Sequence, residues 1–318
     1  MRYLNETHGK EGISAKVVAA STSADGHTIV TWELEYPRFI HSEFMTHRVF
    51  SRNAASSRAI PTAKLISMVE ERPAMPVHWG KNQPGMQANE QLSGVTGYMV
   101  KSFWKQASKA AIYFARRMEK YGAHKQIVNR LLEPYQFIKV VITATELDNF
   151  FLLRDHKDAQ PEIEELAKCM KTSLEGVTPR QIFTGEWHVP YVESERVENE
   201  MKYWVDEEGE RRYLSVAEAL KVSSSCCAQV SYRVLNQSVE KALDIHQKLV
   251  ESEPVHASPF EHQATPMAID NVKKEGFHDQ PLLSAITHAD IKTGVAWSAN
   301  FKGFIQYRKL FDSRYSNR

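Results

Sequence analysis

Residues 43–61 read EFMTHRVFSRNAASSRAIP, and the rest of the chain is legible as scaffolding for this stretch. Between Glu43 and Arg58 it sets His47, Arg48, Arg52 and Arg58 among Ser51, Asn53, Ser56 and Ser57. Guanidinium forks beside hydroxyls suit phosphate and other planar or anionic groups, because each fork donates two parallel bonds. A solvated surface helix can be equally rich in arginine. Here the Ala and Ser steps around Asn53 add little bulk, which leaves backbone N–H groups open to an anion. The stretch is therefore read as a ligand site.

Upstream, residues 13–22 (ISAKVVAAST) and 28–36 (TIVTWELEY) alternate and carry β-branched side chains, with Ala24-Asp25-Gly26-His27 between them, the pattern of a β-hairpin. Pro37 breaks it, and a helix from Ile40 to Val49 is expected to lead into the arginine stretch. Downstream, residues 72–86 hold three prolines and two glycines and must be a loop. Its His78 and Trp79 suit stacking on a ring system or simply covering the core. Helical spacing predicts a long helix from Asn89 to Tyr121, then helices over 124–132, from Tyr135 to about Leu153, and over 159–174. Residues 184–213 mix Gly, Pro, aromatics and charges, so 164–214 is expected to be an irregular insertion with a short hairpin at Glu207-Glu208-Gly209. Ser215 opens a further helix, with Glu218 completing a capping box.

The chain has 318 residues, enough for a substantial buried core, and 40 basic against 39 acidic residues. That balance gives no overall field for nucleic acid and no acidic excess for disorder. The apolar runs are far shorter than a membrane span, and residues 1–20 lack a signal-peptide core. Cys169, Cys226 and Cys227 are too few for a disulfide framework or a four-cysteine zinc site, and read as reduced thiols of a cytoplasmic protein. None lies in an arginine block, so none is expected to be a nucleophile.

The pattern H-R-x-x-S-x-N-x-x-S-x-R, read at His47, Arg48, Ser51, Asn53, Ser56 and Arg58, resembles the signature of the flavin-dependent thymidylate synthases. Thr46, Ala54 and Glu43 stand where that family usually has Arg, Glu and Gln. A second block, NRLLEP (Asn129–Pro134) with TATELDNFFLLRDHKDAQPEI (Thr143–Ile163), is similar to the family's second conserved segment, although Thr143, Thr145 and Asp158 depart from it. A third, AQVSYR (Ala228–Arg233) with VHASPFEHQAT (Val255–Thr265), resembles its flavin-binding segment. A metal reading of His256, Glu261 and His262 is weaker: the spacing lacks an i,i+4 histidine pair, and Pro259 breaks any helix carrying all three. In the family the flavin segment comes first. Here it comes last, the order of a circular permutation.

The resemblance implies an α+β fold with helices around a mixed or antiparallel sheet, a single catalytic domain over 1–318 whose tail, 266–318, is unmatched, and a homotetramer with shared active sites. It implies transfer of a one-carbon unit from methylenetetrahydrofolate to C5 of dUMP, with hydride from FAD that NADPH has reduced. Carried over by residue, Glu43, Ser56, Ser57, Arg58 and Arg130 would bind the nucleotide, and Arg154 would activate the uracil ring. His47, Arg48, Asn149, Ser231, His256 and Ser258 would hold FAD, with no metal; Glu261 and His262 would be structural. In the tail, Asn300, Gln306 and Arg308 stand as substitutes for lost groups or as part of a docking helix. Two rivals remain: a related enzyme with a different one-carbon product or pyrimidine nucleotide, motivated by the departures above, and a nucleic-acid binder using Arg48, Arg52 and Arg58, which the near-zero net charge disfavours.

Overall fold

A computed structural model describes residues 3–230, 238–252, 255–267 and 283–310. Its centre is a six-stranded sheet. Strands β1 (Asn5–His8), β2 (Ser14–Thr22), β3 (Thr28–Pro37), β4 (Ser51–Ala54) and β5 (Phe137–Ala144) are arranged in the order β1-β2-β3-β5-β4, all antiparallel; β6 (Arg180–Gln181) adds to β2 in parallel. The hairpin expected at residues 13–36 is β2–β3, with a register shift between Val17 and Ala19. β3 is buried on both faces: Ile29, Val30, Trp32, Leu34 and Tyr36 are all core residues. The α+β architecture expected from the sequence is the one observed.

Around the sheet run α1 (His41–Phe44), α2 (Thr62–Glu71), α3 (Gly94–Lys120), α4 (Lys125–Val128), α5 (Asp148–Arg154) and α6 (Pro161–Ser173). Helix α6 lies under β1 and β2, where Ile163, Leu166, Ala167 and Met170 join the core and Ser173 accepts a 3.0 Å hydrogen bond from Trp32 Nε1. Two helix expectations are corrected. The segment 135–153 is not one helix: β5 occupies its first half, because Val140, Val141 and Ile142 pack between β3 and β4, and only α5 is helical. The helix expected over Ile40–Val49 reduces to the single turn α1, followed by an irregular turn into β4.

Residues 164–214 are also more regular than expected. Beyond the end of α6 they hold β7 (Glu193–Val197), β8 (Glu200–Glu207) and β9 (Glu210–Leu214), a three-stranded antiparallel sheet. The hairpin expected at Glu207–Gly209 is present: Glu208 and Gly209 both take positive φ (56 and 90°), the tight two-residue turn that matches strand twist. Helix α7 (Val216–Ala228) starts from the expected capping box at Ser215 and Glu218, and α8 (Val239–Glu251) packs against it.

The C-terminal part contains β10 (Ala264–Pro266), β11 (His288–Ala289), β12 (Ala296–Ser298), β13 (Phe301–Lys302) and β14 (Phe304–Gln306). The tail meets the core first as a strand, β14 pairing antiparallel with β10, and then turns helical over 307–310, where Tyr307 and Leu310 pack against the main core. Phe301, Phe304 and Ala264 share an apolar cluster with Ile29 and Ile182. A buried polar chain crosses this junction. Ser21 Oγ bonds His188 Nδ1 (2.9 Å), His188 Nε2 bonds Thr31 Oγ1 (2.8 Å), Thr31 bonds Thr143 Oγ1 (2.7 Å), and Thr143 bonds His262 Nδ1 (2.9 Å). Burial holds both imidazoles down at about 3, so they are neutral members of the chain; His262 is buried, bonded through Nδ1, while its Nε2 has no partner among the described residues.

Candidate active site

Ser51 to Ala54 form an edge strand because Ser51 and Asn53 can pair with Thr143 and Val141 of β5. The preceding turn is fixed from the same strand: Arg52 donates to the carbonyl oxygens of Met45 and His47, both at 2.9 Å. His47 is thereby turned inward, 8% exposed, with its ring edge-on to Phe150 at 4.8 Å and beside Phe50 at 6.0 Å. Arg48, next in sequence, is exposed. Half-buried Arg154, at the end of α5, donates from Nε to His47 Nε2 at 2.8 Å. Burial first, then the charges of Arg154 and Arg52, lower His47 to about 4, so the ring is neutral and can accept that bond.

Asn53 joins the first block to the third. Its Nδ2 donates to the Cys227 carbonyl at 2.6 Å, and its Oδ1 accepts from Ser258 Oγ at 3.2 Å. Ser51 Oγ accepts from Gln306 Nε2 (3.1 Å), which also reaches the Glu261 carbonyl at 3.3 Å, and Arg308 forms an ion pair with Glu261. Gln306 and Arg308 therefore brace the site from behind, while Asn300 offers its backbone carbonyl to Thr145. Thr143 lies in the core on β5, away from any ligand surface. His256 is exposed, and Asn149 is exposed in the first turn of α5, on the same helix as Arg154, as expected. Ser231 falls outside the described residues.

Two of the expected nucleotide residues, Ser57 and Arg130, meet at a group that the sequence did not single out. Glu133 Oε1 accepts from Ser57 Oγ (3.1 Å) and Arg130 NH1 (2.7 Å) and pairs with Arg38 NH2 (3.1 Å). Asn129 Nδ2 pins the turn below by donating to the carbonyls of Ser57 (2.7 Å) and Ile60 (3.0 Å). Ser56 and Arg58 sit exposed on that turn, and Glu43 is exposed on α1. Arg38 lies outside every block and Glu133, inside NRLLEP, carries no expected role; the approach of the 129–135 turn to the Arg38–Ile40 turn puts them together. Trp79 is buried against Trp104 at 6.0 Å, the core role rather than a stacking platform. All three cysteines are buried free thiols, and burial pushes Cys169 up to about 11, so it is inert. Among the described residues no group of three or more His, Cys, Asp or Glu converges as a metal would require.

The arrangement is a rim of exposed cations and amides beside a guanidinium held on a neutral imidazole, suited to an anionic ligand with a planar head. The UMP/dUMP methylase PolB from Streptomyces cacaoi, solved with 5-Br UMP and with 5-Br dUMP, is similar to this chain. Identities are 20% and 17%; the matches cover 50% and 52% of this chain and 87% and 91% of that one, with TM-scores of 0.40 and 0.42. No curated protein sequence matches. The family model described as thymidylate synthase complementing protein matches residues 8–180, which hold the arginine stretch, Glu133, Asn149 and Arg154 but not the 228–265 block. With more than half its length matched, the chain belongs to the thymidylate synthase complementing protein family.

Proposed function

We propose that this protein is a flavin-dependent thymidylate synthase: it moves a one-carbon unit from methylenetetrahydrofolate to C5 of dUMP, with hydride from FAD that NADPH has reduced. The observation that carries this reading is the family match over both arginine blocks, combined with Arg154 being drawn against His47 of the other block. Ser56, Ser57, Arg58 and Arg130 hold the nucleotide phosphate, with Glu43 at the rim and Arg38 within reach of the same cluster. Arg154 donates to a carbonyl oxygen and the neighbouring nitrogen of the uracil ring. C5 is a poor nucleophile until that ring is polarised, and a fixed guanidinium in a half-dry cleft stabilises the electron-rich ring more in the transition state than before it.

The donor set fits a flavin dinucleotide. Arg48, Asn149 and His256 are exposed and able to donate to diphosphate or ring oxygens, and Ser258 is held on Asn53. These residues would hold it, together with Ser231 of the third block, whereas His47, its Nε2 taken by Arg154, serves the guanidinium instead. When bound, the flavin supplies the hydride. The buried thiols agree with a route in which no cysteine attacks the ring. A homotetramer with shared sites is supported by α3, whose exposed Val95, Met99, Phe103 and Phe114 are spaced to share one face. We place the enzyme in the cytoplasm, in keeping with its buried free thiols; among the described residues no helix is long and apolar enough to cross a membrane.

The test is direct. Purified protein should absorb near 450 nm with bound flavin and convert dUMP to dTMP only with methylenetetrahydrofolate and NADPH. A colourless protein that binds no added FAD would refute the reading. Ala54, which replaces a family carboxylate in a half-buried position of β4, favours one second reading, a different nucleotide or a hydroxymethyl product. Mass analysis of the product from dUMP and UMP decides between them.

A further inference from the structure

His47 and Arg154 stand 107 positions apart in sequence and meet side chain to side chain. The ring plane of His47 is set by two phenylalanines, Phe150 from α5 at 89° and Phe50 at 30°. Its backbone is set by Arg52, so the direction of Nε2 is fixed before any ligand arrives. The atom that Arg154 commits to this bond is Nε, at 2.8 Å. In an arginine, Nε joins the flexible stem to the planar fork, so holding it fixes the plane of the guanidinium and leaves both NH2 groups for a ligand. Among the described residues neither NH2 group of Arg154 has an acceptor.

We propose that His47 is the positioning residue for Arg154: a neutral imidazole, protonated on Nδ1, whose Nε2 holds the guanidinium in the plane in which its two NH2 groups meet the pyrimidine. The pyrimidine half of this statement rests on the function proposed above; the positioning half does not. Two cations act on the ring, Arg154 from α5 and Arg52 from β4, and its aromatic neighbours are Phe50 and Phe150. That setting disfavours the imidazolium and lowers His47 to about 4. The acceptor role of Nε2 then dictates the tautomer, since a neutral ring carries one proton and it must lie on the other nitrogen. Protonation at Nε2 would set two donors against each other and release the fork.

Full-length protein with 15N-labelled histidine tests this by NMR. His47 should show the Nδ1-H tautomer at pH 7 and stay neutral to about pH 5. Arg154→Ala should raise its midpoint by about one unit or more, because a donor and a charge are removed together. In turnover of dUMP, His47→Gln, which keeps an acceptor, should retain kcat within about tenfold; His47→Leu should lose roughly a hundredfold in kcat, with KM and FAD occupancy little changed. An Nε2-H tautomer, or a midpoint that Arg154→Ala leaves in place, overturns the positioning, as does equal turnover by the Gln and Leu variants. Parental turnover by Arg154→Ala instead overturns the pyrimidine assignment, and the titration alone then decides whether His47 orients the fork.

Discussion

Acid should loosen this protein through the polar chain that joins the C-terminal part to the sheet. His188 and His262 are fully buried, and each is held near 3 against the ordinary 6.5. A folded-state value below the unfolded one means that the unfolded chain binds more protons between about pH 3 and pH 6.5. Stability from keeping these rings neutral is therefore complete above about 6.5 and is lost as pH falls through that window. Per ring, the loss between pH 7 and pH 5 is about 2 kcal/mol, and for the pair about 4, a large part of an ordinary folding stability of about 5–15 kcal/mol. Urea unfolding followed by tryptophan fluorescence at the two pH values measures it. His41, His47 and His246, each lowered to about 4, add to the total loss, so the informative quantity is a difference between proteins. His262→Asn retains a polar partner for Thr143 but cannot titrate, so its loss between pH 7 and pH 5 should be smaller than the parent's by about 2 kcal/mol. If parent and variant lose the same amount, His262 is not held neutral by burial and the reasoning fails.

Three further outcomes follow from the site. Arg58→Ala should weaken binding of the deoxynucleotide by about ten- to a hundredfold, the worth of a charge-assisted contact of about 1.5–3 kcal/mol, while leaving the deoxynucleoside unaffected; an unchanged preference for the nucleotide, read by calorimetry, would move the phosphate elsewhere. His256→Ala should lower FAD occupancy of the purified protein as read from its visible spectrum, and full occupancy at the parental affinity would remove His256 from the flavin seat. Replacing Cys169, Cys226 and Cys227 together by Ala or Ser should leave turnover in place, because all three thiols are buried; a variant that folds and binds flavin yet shows no turnover would make one of them the nucleophile.

Much of the local structure was legible in the sequence alone. The β2–β3 hairpin followed from alternation around a turn, the α7 start from Ser215 and Glu218, and α3, though it begins at Gly94 and not Asn89, from helical spacing, because each rests on contacts within a few residues. The arginine stretch was legible for a similar reason: its residue types announce their chemistry without their partners. β5 was not. A short apolar run reads alike as a buried strand or a buried helix, and only pairing with β3 and β4 decides between them. The tail had no local signal either, since β14 exists through its pairing with β10. Within the site, the sequence named His47, Asn53, Arg130, Arg154 and Ser258 but not what each touches. Arg154 on His47, Ser258 and Cys227 on Asn53, and Arg38 with Arg130 on Glu133 are contacts that depend on where the chain returns after many residues. The order of the blocks along the chain left their assembly open, and the tertiary structure closed it. β4 packs against the 258–261 turn, and the chain Thr31–Thr143–His262 ties that turn's end to the sheet, because buried polar groups must find partners wherever the fold brings them.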